Sequence, residues 1–247
     1  MSAFLLIDAG NTRLKWATAG VRGPIHVPRD VATSAVTATW VRTFAQKHPH
    51  QQVVLSSVVP KLIPLFRRAF PKRLHIVTGT SPALGLCFDY PNPAELGADR
   101  LASAVAAATG PCPVMIINCG TATAFTLLDA KGHLCGGAIA PGLQTQLTAL
   151  LGATAQLPAT QLKLPRRLPA KSTRDAISAG VLLNFQGGAK EILQRLSASL
   201  SHPPRILLTG GHARDLLKHL GQPATLRPLL VFEGLRMIGL RAFIDVL

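Results

Sequence analysis

The sequence predicts an α/β protein built as two lobes around a duplicated strand–turn–strand unit. The apolar run Phe4-Leu5-Leu6-Ile7 ends on Asp8, passes through a polar, Gly-containing turn at Ala9-Gly10-Asn11-Thr12, and resumes as a strand-like run through Arg13, Leu14, Lys15 and Trp16. The pattern recurs at Val114-Met115-Ile116-Ile117, with Asn118 where Asp8 stood and Gly120 where Gly10 stood. Strand-like and helix-like stretches alternate along the chain, which argues for a layered sheet with some parallel pairing.

Taken in order, residues 4–9 and 12–19 read as two strands around the first turn. Residues 31–47, rich in Ala and Thr, read as a helix. A strand follows at 52–56, then a helix at 60–70 with Pro60 near its first turn, where proline is tolerated, and a short strand at 74–77. Pro91 and Pro93 make 86–96 an extended loop, and the Ala-rich stretch 98–109 a helix closed by Gly110-Pro111. That closure sets the expected boundary: an N-terminal lobe at 1–113 and a C-terminal lobe at 114–247. In the second lobe strands are expected at 114–118, 121–128 and 133–140, and a helix at 142–152. Two prolines, Pro158 and Pro165, and several basic residues make 157–168 a surface loop. A long helix kinked near Gly187-Gly188 is expected at 173–200, a strand at 205–208, and helices at 212–220 and 229–246.

Composition narrows the function classes. The chain of 247 residues is 48% hydrophobic, enough for a buried core. No uninterrupted apolar run reaches the roughly 18 residues of a membrane span. The short apolar start, with no basic residue before it, reads as a strand rather than a signal peptide, so a cytoplasmic protein is expected. The four cysteines, Cys87, Cys112, Cys119 and Cys135, form no C-x-x-C pair and read as buried free thiols in a reducing compartment. With 26 basic against 11 acidic residues the formal charge is +15, which favours polyanions such as nucleotides or nucleic acid. The basic residues are dispersed and read mostly as solvated faces, and scarce Tyr and Trp leave few platforms for stacking bases.

The turns suggest the chemistry. Gly10 and Gly120 let backbone N–H groups approach an anion. Asn11, Thr12 and Thr121 add side-chain donors, Lys15 adds a charge that reaches a phosphate, and Asp8 is a hard oxygen ligand suited to Mg²⁺. Two facing turns of this kind would grip a nucleotide's phosphates from both sides. At Tyr90-Pro91-Asn92-Pro93-Ala94-Glu95-Leu96-Gly97-Ala98-Asp99-Arg100, a carboxylate and a guanidinium stand at the mouth of a predicted helix. The acid is placed to take a proton from a hydroxyl, and the guanidinium to hold a carboxylate bidentately. Gly-rich turns at Gly136-Gly137…Pro141-Gly142 and Thr209-Gly210-Gly211 offer further close approach to a ligand.

Together these motifs, with Ser172-Thr173 before Ala176-Ile177, resemble in order and spacing the type III pantothenate kinases, related to the Bvg accessory factors. The resemblance implies a ribonuclease H-like duplicated fold of the acetate and sugar kinase, Hsp70 and actin superfamily. It further implies ATP-dependent phosphorylation of pantothenate to 4′-phosphopantothenate, the first step towards coenzyme A. Carried over by position, Asp8, Ala9, Gly10, Asn11, Thr12, Arg13, Leu14 and Lys15 match the first phosphate motif, and Thr121 the ATP contact of the second. Asp99 matches the proton acceptor. Tyr90, Gly97, Ala98, Asp99 and Arg100 match pantothenate contacts, and Thr173 a contact given by a partner subunit. A homodimer, Mg²⁺ and a monovalent cation, K⁺ or ammonium, are implied with them. One departure stands out: Asn118 replaces the family's usual Asp at the monovalent cation site, which predicts weaker cation dependence. The alternative is a Bvg accessory factor-like transcriptional regulator with weak or no kinase activity, the reading under which nucleic acid becomes a partner.

Overall fold

The computed structural model describes residues 3–244. It divides into two compact units: Met1–Pro111 with Gly132–Cys135 and Leu229–Leu247, and Cys112–Lys131 with Gly136–Pro228.

In the first unit, β1 (Phe4–Ala9), β2 (Arg13–Ala19), β3 (Arg29–Ala32), β4 (Gln52–Ser57) and β5 (Leu74–Ile76) form one sheet in the order β3-β2-β1-β4-β5. β1 pairs antiparallel with β2 and parallel with β4. The helices are α1 (Ala38–Gln46), α2 (Ile63–Ala69) and α3 (Ala98–Ala107). Strand alternation sends Leu5, Ile7, Val53 and Leu55 to one face, where they build a core with Val41, Phe44 and Phe66 of α1 and α2.

The second unit repeats the plan. Its strands β6 (Val114–Cys119), β7 (Ala122–Leu128), β8 (Leu134–Pro141), β9 (Arg205–Thr209) and β10 (Thr225–Leu226) run in the order β10-β9-β6-β7-β8. β6 is antiparallel to β7 and parallel to β9, as β1 is to β2 and β4. The helices are α4 (Leu143–Gly152), α5 (Thr173–Ser197) and α6 (Ala213–Leu217). The duplication expected from two short motifs thus extends to the whole of both sheets.

Several expectations need correction. Residues 31–47 do not form one helix: β3 and a 3₁₀ turn at Thr33–Ala35 come first, and α1 starts only where the Thr37 side chain accepts a hydrogen bond from the Trp40 N–H. α5 ends at Ser197 rather than at residue 200. The last helix, α7 (Leu230–Phe243), belongs to the first unit rather than to a 114–247 lobe. It packs on α3, β1 and β4. A Cβ on Gly234 would lie 1.8 Å from the Ala102 carbonyl oxygen, so backbone meets backbone there, and Leu235 and Ile238 are fully buried. The expected residues 245–246 of that helix lie outside the described ones. None of the four cysteines forms a disulfide, but burial, expected for all, holds only for Cys119, whose thiol it pushes up to about 12; Cys112 and Cys135 are half-buried and Cys87 is exposed.

Candidate active site

The first turn is held from behind. The Gly10 N–H donates to the Arg13 carbonyl at 3.0 Å, and the buried Thr33 hydroxyl donates to the Gly10 carbonyl at 2.7 Å. Asn11 and Thr12 stand exposed at its tip. Ala9 and Leu14, carried over as part of a phosphate motif, instead turn their side chains into the core. Arg13 is exposed and forms a bidentate ion pair with Asp30 of β3.

Register then sets a polar row across the sheet: Lys15 lies opposite Asp8 on β2, and Ser56 opposite it on β4. The Ser56 hydroxyl donates to Asp8 Oδ1 at 3.0 Å. Burial, and then the charge of Asp99, push the Asp8 carboxyl up from 3.8 to about 7, against the opposing pull of Ser56 and Lys15. Asp8, Lys15, Ser56 and Asp99 therefore share one electrostatic environment. Ser56 went unnoticed in the sequence; the signal was a hydroxyl at the end of the strand expected at 52–56.

Asp99 occupies the first turn of α3, where the helix dipole favours an acid. Gly97 makes room for it: a Cβ there would lie 2.8 Å from Asp99 Oδ1. Burial lowers the Arg100 guanidinium below its ordinary range, partly offset by Asp99 and Tyr90. Tyr90, Asp99 and Arg100 are thus brought together with Asp8 in the first unit. Among the described residues no group of three or more His, Cys, Asp or Glu side chains is arranged to hold a metal. The oxygen donors nonetheless fit Mg²⁺, which is usually bound by one or two carboxylates plus phosphates and water.

In the second unit three segments converge on the second turn. The Gly120 N–H donates to the Ala122 carbonyl at 3.0 Å, a turn one residue tighter than the first, so Ala124 rather than a lysine faces Asn118. The Gly142 N–H donates to the Thr121 carbonyl at 2.9 Å, and the Thr145 hydroxyl donates to the same oxygen at 2.6 Å. Gly210 has φ +94°, and a Cβ there would lie 2.5 Å from the Cys119 carbonyl oxygen and 2.8 Å from Asn118 Oδ1. Thr121 is exposed at the tip of this Gly-lined cradle. Thr173 stands exposed at the start of α5, which Ser172 caps by accepting from the Asp175 N–H at 3.1 Å.

This layout has known counterparts. The sequence profile of the type III pantothenate kinases matches residues 4–195. The chain belongs to the type III pantothenate kinase family. Like its relatives, it is a kinase. The type III pantothenate kinase of Methylacidiphilum infernorum is 33% identical over 238 residues, covering 95% of this chain and 87% of that one. That of Akkermansia muciniphila is 33% identical over 235 residues, covering 95% and 97%. Among solved structures, a Campylobacter jejuni protein described as a Baf family transcriptional activator superposes with TM-score 0.67 at 19% identity, covering 98% of this kinase and all of that chain. The activator of 2-hydroxyisocaproyl-CoA dehydratase from Clostridium difficile, with bound ADPNP, superposes with TM-score 0.54 at 12% identity, covering 99% and 95%. With a ROK family protein from Streptococcus pneumoniae, at TM-score 0.55 and 11% identity over both full chains, these place the kinase in the acetate and sugar kinase, Hsp70 and actin fold. No helix among the described residues is long and apolar enough to cross a membrane.

Proposed function

We propose that this kinase transfers the γ-phosphoryl group of ATP to the 4′-hydroxyl of pantothenate, giving 4′-phosphopantothenate and ADP, the first step of coenzyme A synthesis. The observation that carries the reading is the grouping of Asp99, Arg100 and Tyr90 with Asp8, Ser56 and Lys15 in one unit.

Arg100, half-buried beside Tyr90, binds the pantothenate carboxylate. The Asp99 carboxylate accepts the proton of the 4′-hydroxyl as its oxygen bonds to the γ-phosphorus and the bond to the ADP oxygen breaks. The transition state of such a transfer is loose, so positioning and charge stabilisation do most of the work. Lys15 and the backbone of the first turn face phosphate oxygens, and the cradle of Gly120, Thr121, Gly142 and Gly210 takes the nucleotide. Asp8, kept in place by Ser56, would hold Mg²⁺, which offsets charge on the phosphates. A monovalent cation at Asn118 and a homodimer in which Thr173 of the second copy completes the pantothenate site follow from the family resemblance.

Coupled ADP release with ATP and pantothenate tests the reading. Turnover that depends on pantothenate is expected, and Asp99→Asn should lower kcat by about 10²–10⁴ with no fall in its melting temperature. No turnover from a folded protein would instead favour a regulator of the Bvg accessory factor kind, for which a charge of +15 is suited to nucleic acid.

A further inference from the structure

The first unit carries a second concavity, on the face of its sheet that the catalytic groups do not use. Alternation along the strands puts Asp8, Lys15 and Ser56 on one face and Ile7, Leu55 and Trp16 on the other, under α1. There a cavity of about 260 Å³ is lined by Trp16, Trp40, Phe44, Arg29, Lys47 and His48, together with Thr43. Trp40 and Phe44 stack with ring centroids 4.7 Å apart and planes 14° apart, and Trp16 stands edge-on to both, at 5.9 and 5.2 Å. Arg29 is the direct cross-strand partner of Trp16, while Lys47 and His48 follow the last turn of α1.

The polar groups around these rings are one-sided. No acid lines the cavity. Burial, then the charges of Arg29 and Lys47, hold the His48 imidazole below its usual range, so both cations act on the same small volume. Neither indole N–H has an acceptor among the described residues. An aromatic wall beside an uncompensated pair of cations suits a ligand with a planar π face and an anionic group. The volume lies below that of a pocket for a drug-sized molecule, which limits the occupant to one such unit.

We propose that this cavity is a second ligand site, separate from phosphoryl transfer. It takes a nucleotide, with the base against the tryptophans and the phosphate on Arg29 and Lys47. The nucleotide arrives either free or as one residue of a single strand.

The chain's only two tryptophans both line the cavity, so the intrinsic fluorescence of the full-length protein reports its occupancy, and the variants below separate that signal from nucleotide bound beside Lys15. AMP and a short oligo(dT) are titrated separately. Saturable quenching is expected from at least one of them, weakened tenfold or more in the double variant Arg29→Glu, Lys47→Glu. Thr43→Glu, at an exposed position on α1, should weaken it likewise, and pantothenate phosphorylation should stay at the wild-type level in both. Saturation by AMP identifies a free nucleotide; saturation by the oligonucleotide alone, falling steeply with salt, identifies a single strand. The proposal is overturned if neither probe quenches, if both variants respond as wild type does, or if loss of quenching always accompanies loss of phosphorylation.

Discussion

Asp8 is the residue whose environment asks most of the fold. Its carboxyl holds its proton to about pH 7 in the folded chain, against 3.8 ordinarily. The folded state therefore binds more protons than the unfolded one between those values, and the stability Asp8 contributes below pH 3.8 is lost as pH rises to about 7. A shift of about three units corresponds to a ceiling of about 4 kcal/mol, and partial exposure reduces that to roughly 2. Asp8→Asn keeps an acceptor for Ser56 and removes the charge. In ligand-free protein it should melt about 4–8 °C above wild type at pH 8, with the gap closing by pH 4, as calorimetry across that range would show. Asn118 offers the opposite experiment. Under the proposed function its amide oxygen would coordinate K⁺ without a formal charge, so Asn118→Asp should increase activation by K⁺, measured as turnover with and without the ion; an unchanged ratio would remove Asn118 from any cation site. Both residues were visible in the sequence because each ends a strand at a Gly turn. Ser56 and Thr33 were not, since their contacts come from strand register and from a 3₁₀ turn that no local pattern announces.

Among the elements, the second turn with its converging Gly segments leaves little room for added bulk. A Cβ at residue 142 would lie 2.1 Å from the Gly120 carbonyl oxygen, and neither backbone has a free rotamer with which to yield. Gly142→Ala should therefore displace the Thr121 turn and raise the KM for ATP on the order of tenfold, about 1.4 kcal/mol, while the KM for pantothenate changes little. Equal losses for both substrates would point to unfolding instead. The sequence made these turns legible because glycine in a strand-to-helix connection has few other uses. It hid β3, whose Arg29-Asp30-Val31-Ala32 run holds two charges and is a strand only because β2 pairs with it. It hid β10 as well, two residues long beside β9.

At the scale of the whole molecule, the two sheets repeat one strand order; the duplication was expected from two short patterns, the order of the outer strands was not. The ownership of α7 did not. Nothing in an amphipathic helix says which sheet it covers, although Gly234 and Gly239 were a hint of close packing. Its apolar side chains, Leu235 and Ile238 among them, are buried inside the first unit. Large apolar side chains that remain exposed on the second unit include Leu150 of α4 and Leu183 of α5, helices that pack on each other. If these form the dimer contact, Leu150→Lys with Leu183→Lys should give a folded monomer by sedimentation and raise the KM for pantothenate. A dimer that persists would place the contact elsewhere.

Because α7 closes the first unit only after residues 112–228 have been made, the order of synthesis matters. On the ribosome, one side of the first sheet, with Phe4 and Val54 that later meet Gly239, stays uncovered for on the order of ten seconds. During that interval the nascent chain presents a greasy flank that a trigger-type chaperone would shield, and an arrest or frameshift before α7 would leave a species marked for proteolysis.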